Sequence, residues 1–139
     1  MLRPWCKDQK TFRERVNTSI DEFDKHLRIV LLRGIKEGWS LDKMTEVLQR
    51  LTGMAAYRAR RLIRTETMAI YSKAAQETFL ENGIEYVEII GDAACVGICL
   101  DYVGEEIPLR DAIVGDDLPP YHPNCACSFC AYEEFEEKK

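Results

Sequence analysis

The front half of the chain is written in a helical period. Phe12, Val16, Ile20, Phe23, Leu27, Val30, Leu31 and Gly34 follow one another at steps of three and four. That spacing lays one apolar stripe along a single long helix from residue 11 to about 36. Gly34 and Gly38 are then expected to loosen it, as glycines near helix C-termini do. Ser40 reads as the N-cap of a short helix with Leu41, Met44, Val47, Leu48 and Leu51 inward, broken at Thr52-Gly53. A third helix is expected from about Met54 to Glu81, stopped by Asn82-Gly83, with Ala55, Ala59, Leu62, Ile63, Ile70, Ala74 and Thr78 inward.

After Gly83 the pattern turns β-branched and aromatic. Ile84, Tyr86, Val87, Ile89 and Ile90 predict a strand ending at Gly91. Ile98 to Tyr102 predicts a helical turn, and Val103 to Pro108 a turn into a short strand. Asp111 to Pro120 reads as loop, Ala126 to Tyr132 as a last strand, and Glu133 to Lys139 as a charged tail. The class this implies is α+β: about three N-terminal helices, then a small antiparallel β-sheet with a Cys/His-rich loop cluster.

Composition narrows the picture. The chain has 139 residues and 16.0 kDa, the size of one domain, and is 46% hydrophobic and 31% charged, as globular chains are. Its longest run of large aliphatics, Ile29 to Leu32, is far short of the roughly 20 residues of a membrane helix. Met1 to Asp8 has no apolar stretch of the signal-peptide kind, so a reducing cytoplasm is the expected address. Up to Lys73 there are 16 Lys and Arg against 9 Asp and Glu; from Ala74 onward there are 3 against 15. Such a charge dipole suits either complementation within the fold or a basic face meeting acidic partners. Arg58, Arg60, Arg61 and Arg64 form the basic patch of the third helix, read either as a solvated face or as a nucleic-acid contact.

Cysteine usage adds the chemistry. Cys6 stands alone, while Cys95, Cys99, Cys125, Cys127 and Cys130 crowd the last third. Cys95-x3-Cys99 and His122-Pro123-Asn124-Cys125-Ala126-Cys127 offer four thiolates and one imidazole, the donors a structural zinc takes in a tetrahedron. Cys95, Cys99, His122 and Cys125 are the first choice of ligands, with Cys127 next. A disulfide between the clusters and inert buried thiols are the alternatives. A hydrolytic zinc site would need an open position and a general base in a pattern such as H-E-x-x-H, which the chain lacks. Gly-rich phosphate loops and Ser-His-Asp sets are also missing, so no enzyme is expected. His26 reads as a surface residue. Glu66 shares the inward edge of the third helix, where a carboxylate either takes a partner such as a backbone N–H of the cysteine loops or an arginine, or reaches solvent at the stripe's edge.

Arg61-Leu62-Ile63-Arg64-Thr65-Glu66-Thr67, followed by Tyr71, resembles the "ARTET" helix of the phage Mu F-like minor head (head morphogenesis) proteins of tailed bacteriophages. In that family the helix leads to a strand, an aspartate before C-x2-C, an L-D-G turn, a proline and H-P-N-C-R-C. Asp92, Cys95, Cys99, Gly104, Pro108 and His122 to Cys127 follow the same order over roughly Ala55 to Phe129. Three positions depart: Cys95 comes one place early, with Val96 where the first cysteine would stand, Val103 replaces an aspartate, and Ala126 a basic residue. The extra thiol Cys130 is a possible substitute. The resemblance implies a virion protein, made in the host bacterial cytoplasm and built into the head. Its partners would be the portal, scaffold or major capsid protein, with DNA as a further candidate, and no membrane. Residues 1–53 would be a helical docking segment, 54–132 the Mu F-like domain and 133–139 the tail. Arg64, Thr65, Glu66, Asp92, Gly104, Pro123 and Asn124 are its structural motif residues. The runner-up is a zinc-stabilised nucleic-acid-binding module.

Overall fold

A computed structural model of the chain describes residues 12–91, 95 and 97–132, with side chains from residue 20 onward. The expectations placed on Cys6, Asp92, Val96, the tail 133–139 and the side chains of Phe12 and Val16 lie outside the described residues. Three helices, α1 (Phe12–Glu37), α2 (Leu41–Thr52) and α3 (Ala56–Glu81), precede three strands, β1 (Tyr86–Ile90), β2 (Glu106–Pro108) and β3 (Ser128–Tyr132). A 3-10 turn, Gly97–Asp101, lies between β1 and β2. The architecture is the α+β class expected from the sequence. The chain divides into two compact units, Met1–Arg60 and Arg61–Lys139.

In the first unit α1 and α2 pack through Val30, Leu31, Met44 and Leu48, all buried. The Ser40 hydroxyl accepts the Lys43 N–H at 3.1 Å and satisfies one of the donors that open α2. Gly34 does not loosen α1. It sits buried inside the helix, where an added Cβ would lie 2.3 Å from Met44 Sδ. The glycine is there so that Met44 can lie against the helix backbone. The inward stripes are narrower than their periodicity suggested: Ile20, Leu41 and Leu51 are exposed. Beyond α1, Trp39 donates its indole N–H to Glu37 at 2.8 Å and takes the Lys43 ammonium over its ring at 4.3 Å.

In the second unit α3 ends in a backbone motif joined by a side-chain cap, the Asn82 amide donating to Thr78 O at 2.7 Å. Gly83 turns left-handed (φ 78°), its N–H donates to Leu80 O, and the Ile84 N–H donates to Phe79 O at 2.9 Å. Ile84 thus belongs to the helix stop and packs on the core, and the strand starts two residues later. β1 lies in the middle of the sheet, in the order β2-β1-β3, with both pairings antiparallel. Val87 pairs with Ile107 and Ala131, and Ile90 pairs with Ser128. The strand alternates as a half-covered strand should, with Val87 and Ile89 buried and Tyr86 and Ile90 exposed. Val87, Ile89, Leu109 and Leu118 form the core, joined by Phe79 and Phe129, whose rings meet edge to face at 5.9 Å.

Of the inward residues expected on α3 in this unit, only Ile63 is fully buried. Ile63, Thr67, Ser72 and Gln76 are buried, whereas Ile70, Ala74 and Thr78 are exposed. Part of the reason is what the helix meets. Gln76 donates both amide hydrogens across the unit, to Leu109 O at 2.9 Å and Ala112 O at 2.7 Å. A helix facing irregular backbone must supply polar groups, because buried carbonyls need donors.

Candidate metal centre

The sheet register decides where the cysteines meet. β1 runs toward Ile90, and the chain leaves it through Gly91 into the segment carrying Cys95 and Cys99. β3 begins opposite Ile90 at Ser128, so Cys125 and Cys127 lie just before that point. Both cysteine segments therefore gather at the C-terminal end of β1. Gly91 contributes by its lack of a side chain: a Cβ there would come within 2.4 Å of Val103 Cγ2 and 2.8 Å of Cys95 Sγ.

Cys95, Cys99, Cys125 and Cys127 are all buried, Cys127 completely, and Tyr121 covers them. Two groups of donor atoms lie within 4.8 Å of one another: Cys95, Cys99 and Cys127, and Cys99, His122 and Cys125. The sulfurs of Cys95 and Cys127 are 3.1 Å apart, and Cys99 Sγ lies 3.1 Å from His122 Nε2. A sulfur pair at 3.1 Å is not bonded, and among the described residues no cysteine is in a disulfide. Cys130, in β3, belongs to neither group. The three-residue spacer between Cys95 and Cys99 is taken up by Gly97 (φ 60°), which opens the 3-10 turn. Cys125 and Cys127, one residue apart, belong to different groups yet remain in contact with each other.

His122 has a defined tautomer. A carbonyl oxygen only accepts, so the contact of 2.9 Å between Nδ1 and Pro123 O places the hydrogen on Nδ1. The neutral ring then turns the lone pair of Nε2 toward the sulfurs, the arrangement of a metal-ligating histidine whose other nitrogen is held by backbone. Contact with Cys99, and then with the Pro123 carbonyl, raises the imidazole pKa above its ordinary value. Burial, with the contacts to Cys95, Cys125 and Cys99, pushes the Cys127 thiol far up. Thiolates in this setting require a cation beside them. Sulfur and imidazole donors without a carboxylate fit a soft or borderline metal such as zinc and do not fit calcium or magnesium.

The loop is held from α3. Cys125 N–H closes a turn on His122 O at 3.1 Å. Asn124, left-handed at φ 61°, donates its N–H to Thr65 Oγ1 at 3.0 Å. Thr65 donates its own hydrogen to Arg61 O at 2.7 Å, leaving its lone pairs for Asn124. The loop N–H thus goes to Thr65, while Glu66 is half-buried beside it. Gly104, in the turn before β2, donates its N–H to Ile89 O at 2.9 Å, and Pro123 is exposed. Tyr102 and Tyr121 stack at 4.3 Å, and the Tyr121 hydroxyl donates to Asp117 O at 3.0 Å. Sequence reasoning missed Gln76, Gly91 and this tyrosine pair. Only Gly91, placed directly after a strand, carried a signal.

Arg58, Arg60, Arg61 and Arg64 are all exposed. Arg60 pairs with Asp42 at 3.0 Å, and Arg58 donates to the Tyr57 hydroxyl at 3.0 Å. No helix among the described residues is long and apolar enough to cross a membrane.

A family model described as "Phage Mu protein F like protein" matches residues 25–130. The match takes in the second half of α1 and all of α2, well before the motifs at Ala55 to Phe129 that carry the resemblance. No curated protein and no solved structure gives a match.

Proposed function

We propose that this chain, which belongs to the Phage Mu protein F-like family, is a minor head protein of a tailed bacteriophage or prophage, acting in head morphogenesis. The observation that carries this reading is the family match across residues 25–130. Its mechanism is recognition rather than turnover: the chain binds other head proteins, the portal, scaffold or major capsid protein, and resides in the virion. Ile29 and Leu32 on α1, both exposed, suit a helix that docks on a protein partner.

In this reading Cys95, Cys99, His122, Cys125 and Cys127 supply the ligands of one structural zinc. Zinc bound there would supply no chemistry beyond crosslinking. The residues tie the β1–β2 connection to the segment before β3, and Thr65, through Asn124, orients that segment on α3. Arg64, Glu66, Asp92 and Gly104 complete the proposed structural motif. DNA contact through Arg58, Arg61 and Arg64 is a second reading, supported by their exposure and by Tyr57 beside Arg58. It predicts binding that weakens steeply with salt.

The test is made in the phage that encodes the chain. Purified heads should contain it in low copy, and deleting its gene should lower the yield of filled heads until the gene is supplied in trans. Particles that lack the chain and form normally without its gene would overturn the proposal. Metal content of freshly purified, reduced protein tests the zinc, with one ion per chain expected.

A further inference from the structure

The two donor groups have one member in common. Cys99 belongs to both, with Cys95 and Cys127 on one side and His122 and Cys125 on the other. Among the described residues no three of the remaining four donors form such a group without it. Cys99 is also nearly inaccessible, at 1% exposure, and contacts His122 directly. The five donors thus form two groups of three that share Cys99, and a tetrahedral ion has four places.

We propose that Cys99 is the one indispensable ligand of this centre, and that each of the other four donors is individually replaceable. The proposal rests on the zinc reading above. Loss of Cys95 leaves Cys99, Cys127, His122 and Cys125; loss of Cys127, Cys125 or His122 likewise leaves four donors that include Cys99. Loss of Cys99 also leaves four donors, but no three of them form a mutually near group, whereas loss of any outer donor leaves one group of three whole. The spare donor gives the centre a built-in route for ligand exchange: an outer sulfur or the half-exposed imidazole can leave while another takes its place, and the ion stays bound.

The experiment uses the full chain and five variants, Cys95→Ser, Cys99→Ser, His122→Asn, Cys125→Ser and Cys127→Ser. Zinc per chain is measured after desalting against a competing chelator, and the absorption of the cobalt-loaded protein reports ligand number and type. Wild type and the four outer variants should each hold one ion, with affinities within about tenfold of one another. Their cobalt bands should shift as sulfur or nitrogen is exchanged. Cys99→Ser should lose at least about a hundredfold in affinity. The double variant Cys95→Ser/His122→Asn, which keeps Cys99 but leaves three donors, should fall as far. An outer single variant that empties as completely as Cys99→Ser overturns the proposal, as does a Cys99→Ser chain that holds zinc normally. The outer variants carry this test even where Cys99→Ser yields no soluble protein. A wild-type chain that binds no metal refutes the zinc reading itself, an outcome distinct from loss of metal in the single variants.

Discussion

Gln76→Leu removes two hydrogen bonds while keeping the side chain's volume nearly constant, and its cost can be worked from the neighbours. The amide is 3% exposed, and its orientation is fixed because Oε1 accepts from Lys73 Nζ at 3.2 Å while Nε2 donates to Leu109 O and Ala112 O. Leucine removes one of the two donors of the buried Leu109 carbonyl, which keeps the Ala112 N–H at 3.3 Å, at about 0.5–1.5 kcal/mol, and the donor of the part-buried Ala112 carbonyl, at about 0.5–1.5 kcal/mol. The sum, about 1–3 kcal/mol, is a large fraction of the stability of a small domain. With a urea slope of about 1–2 kcal/mol per molar, the unfolding midpoint should fall by about 0.5–3 M. Circular dichroism reads the transition. Gln76→Glu should cost at least as much, since it sets carboxylate oxygens against two carbonyls. Lys73→Met, at an exposed position, should stay within about 0.5 kcal/mol of wild type. A Gln76→Leu chain with an unchanged midpoint would show that these carbonyls are satisfied by other means, and the account of α3's polar face would fail.

Three further outcomes are expected. Gly34→Ala should destabilise by about 1–3 kcal/mol in thermal unfolding, despite alanine's better helix propensity, because the new methyl meets Met44; the cost should shrink in a Met44→Ala background. Asn124→Val should cost about 1–3 kcal/mol through its left-handed backbone, whereas Asn124→Gly should be nearly neutral, and Thr65→Val should lower zinc affinity while Thr65→Ser preserves it. Chelation of zinc should make the thiols of Cys95, Cys99, Cys125 and Cys127 reactive together, in a titration with a chromogenic disulfide, and lower the melting temperature; thiols that react equally fast with and without chelator would contradict a bound ion.

The helices were legible because local signals agreed: the stripe at Val30 and Leu31, the Ser40 cap and the Asn82-Gly83 stop each needed only a few residues. The face of α3 was not. Its buried Thr67, Ser72 and Gln76 are polar, and a hydrophobic period cannot reveal a helix side that serves backbone carbonyls 33 and 36 residues away. Gly34 was misread for a related reason, since its role depends on Met44 in another helix. At the cysteine cluster the candidate donors were visible as residue types. Their partition into two groups around Cys99 was not, because it depends on which end of β1 the later strands reach.

That strand order has a consequence for biosynthesis. β1 is made first and occupies the middle, yet both of its neighbours are translated after it, β3 last of all. A ribosome that has released Cys95 and Cys99 must still extrude the chain to Tyr132 before the ladder beside Ile90 can close. The nascent protein therefore passes through a stage in which Cys95 and Cys99 are synthesised while His122, Cys125 and Cys127, which lie beside them in the finished fold, are not.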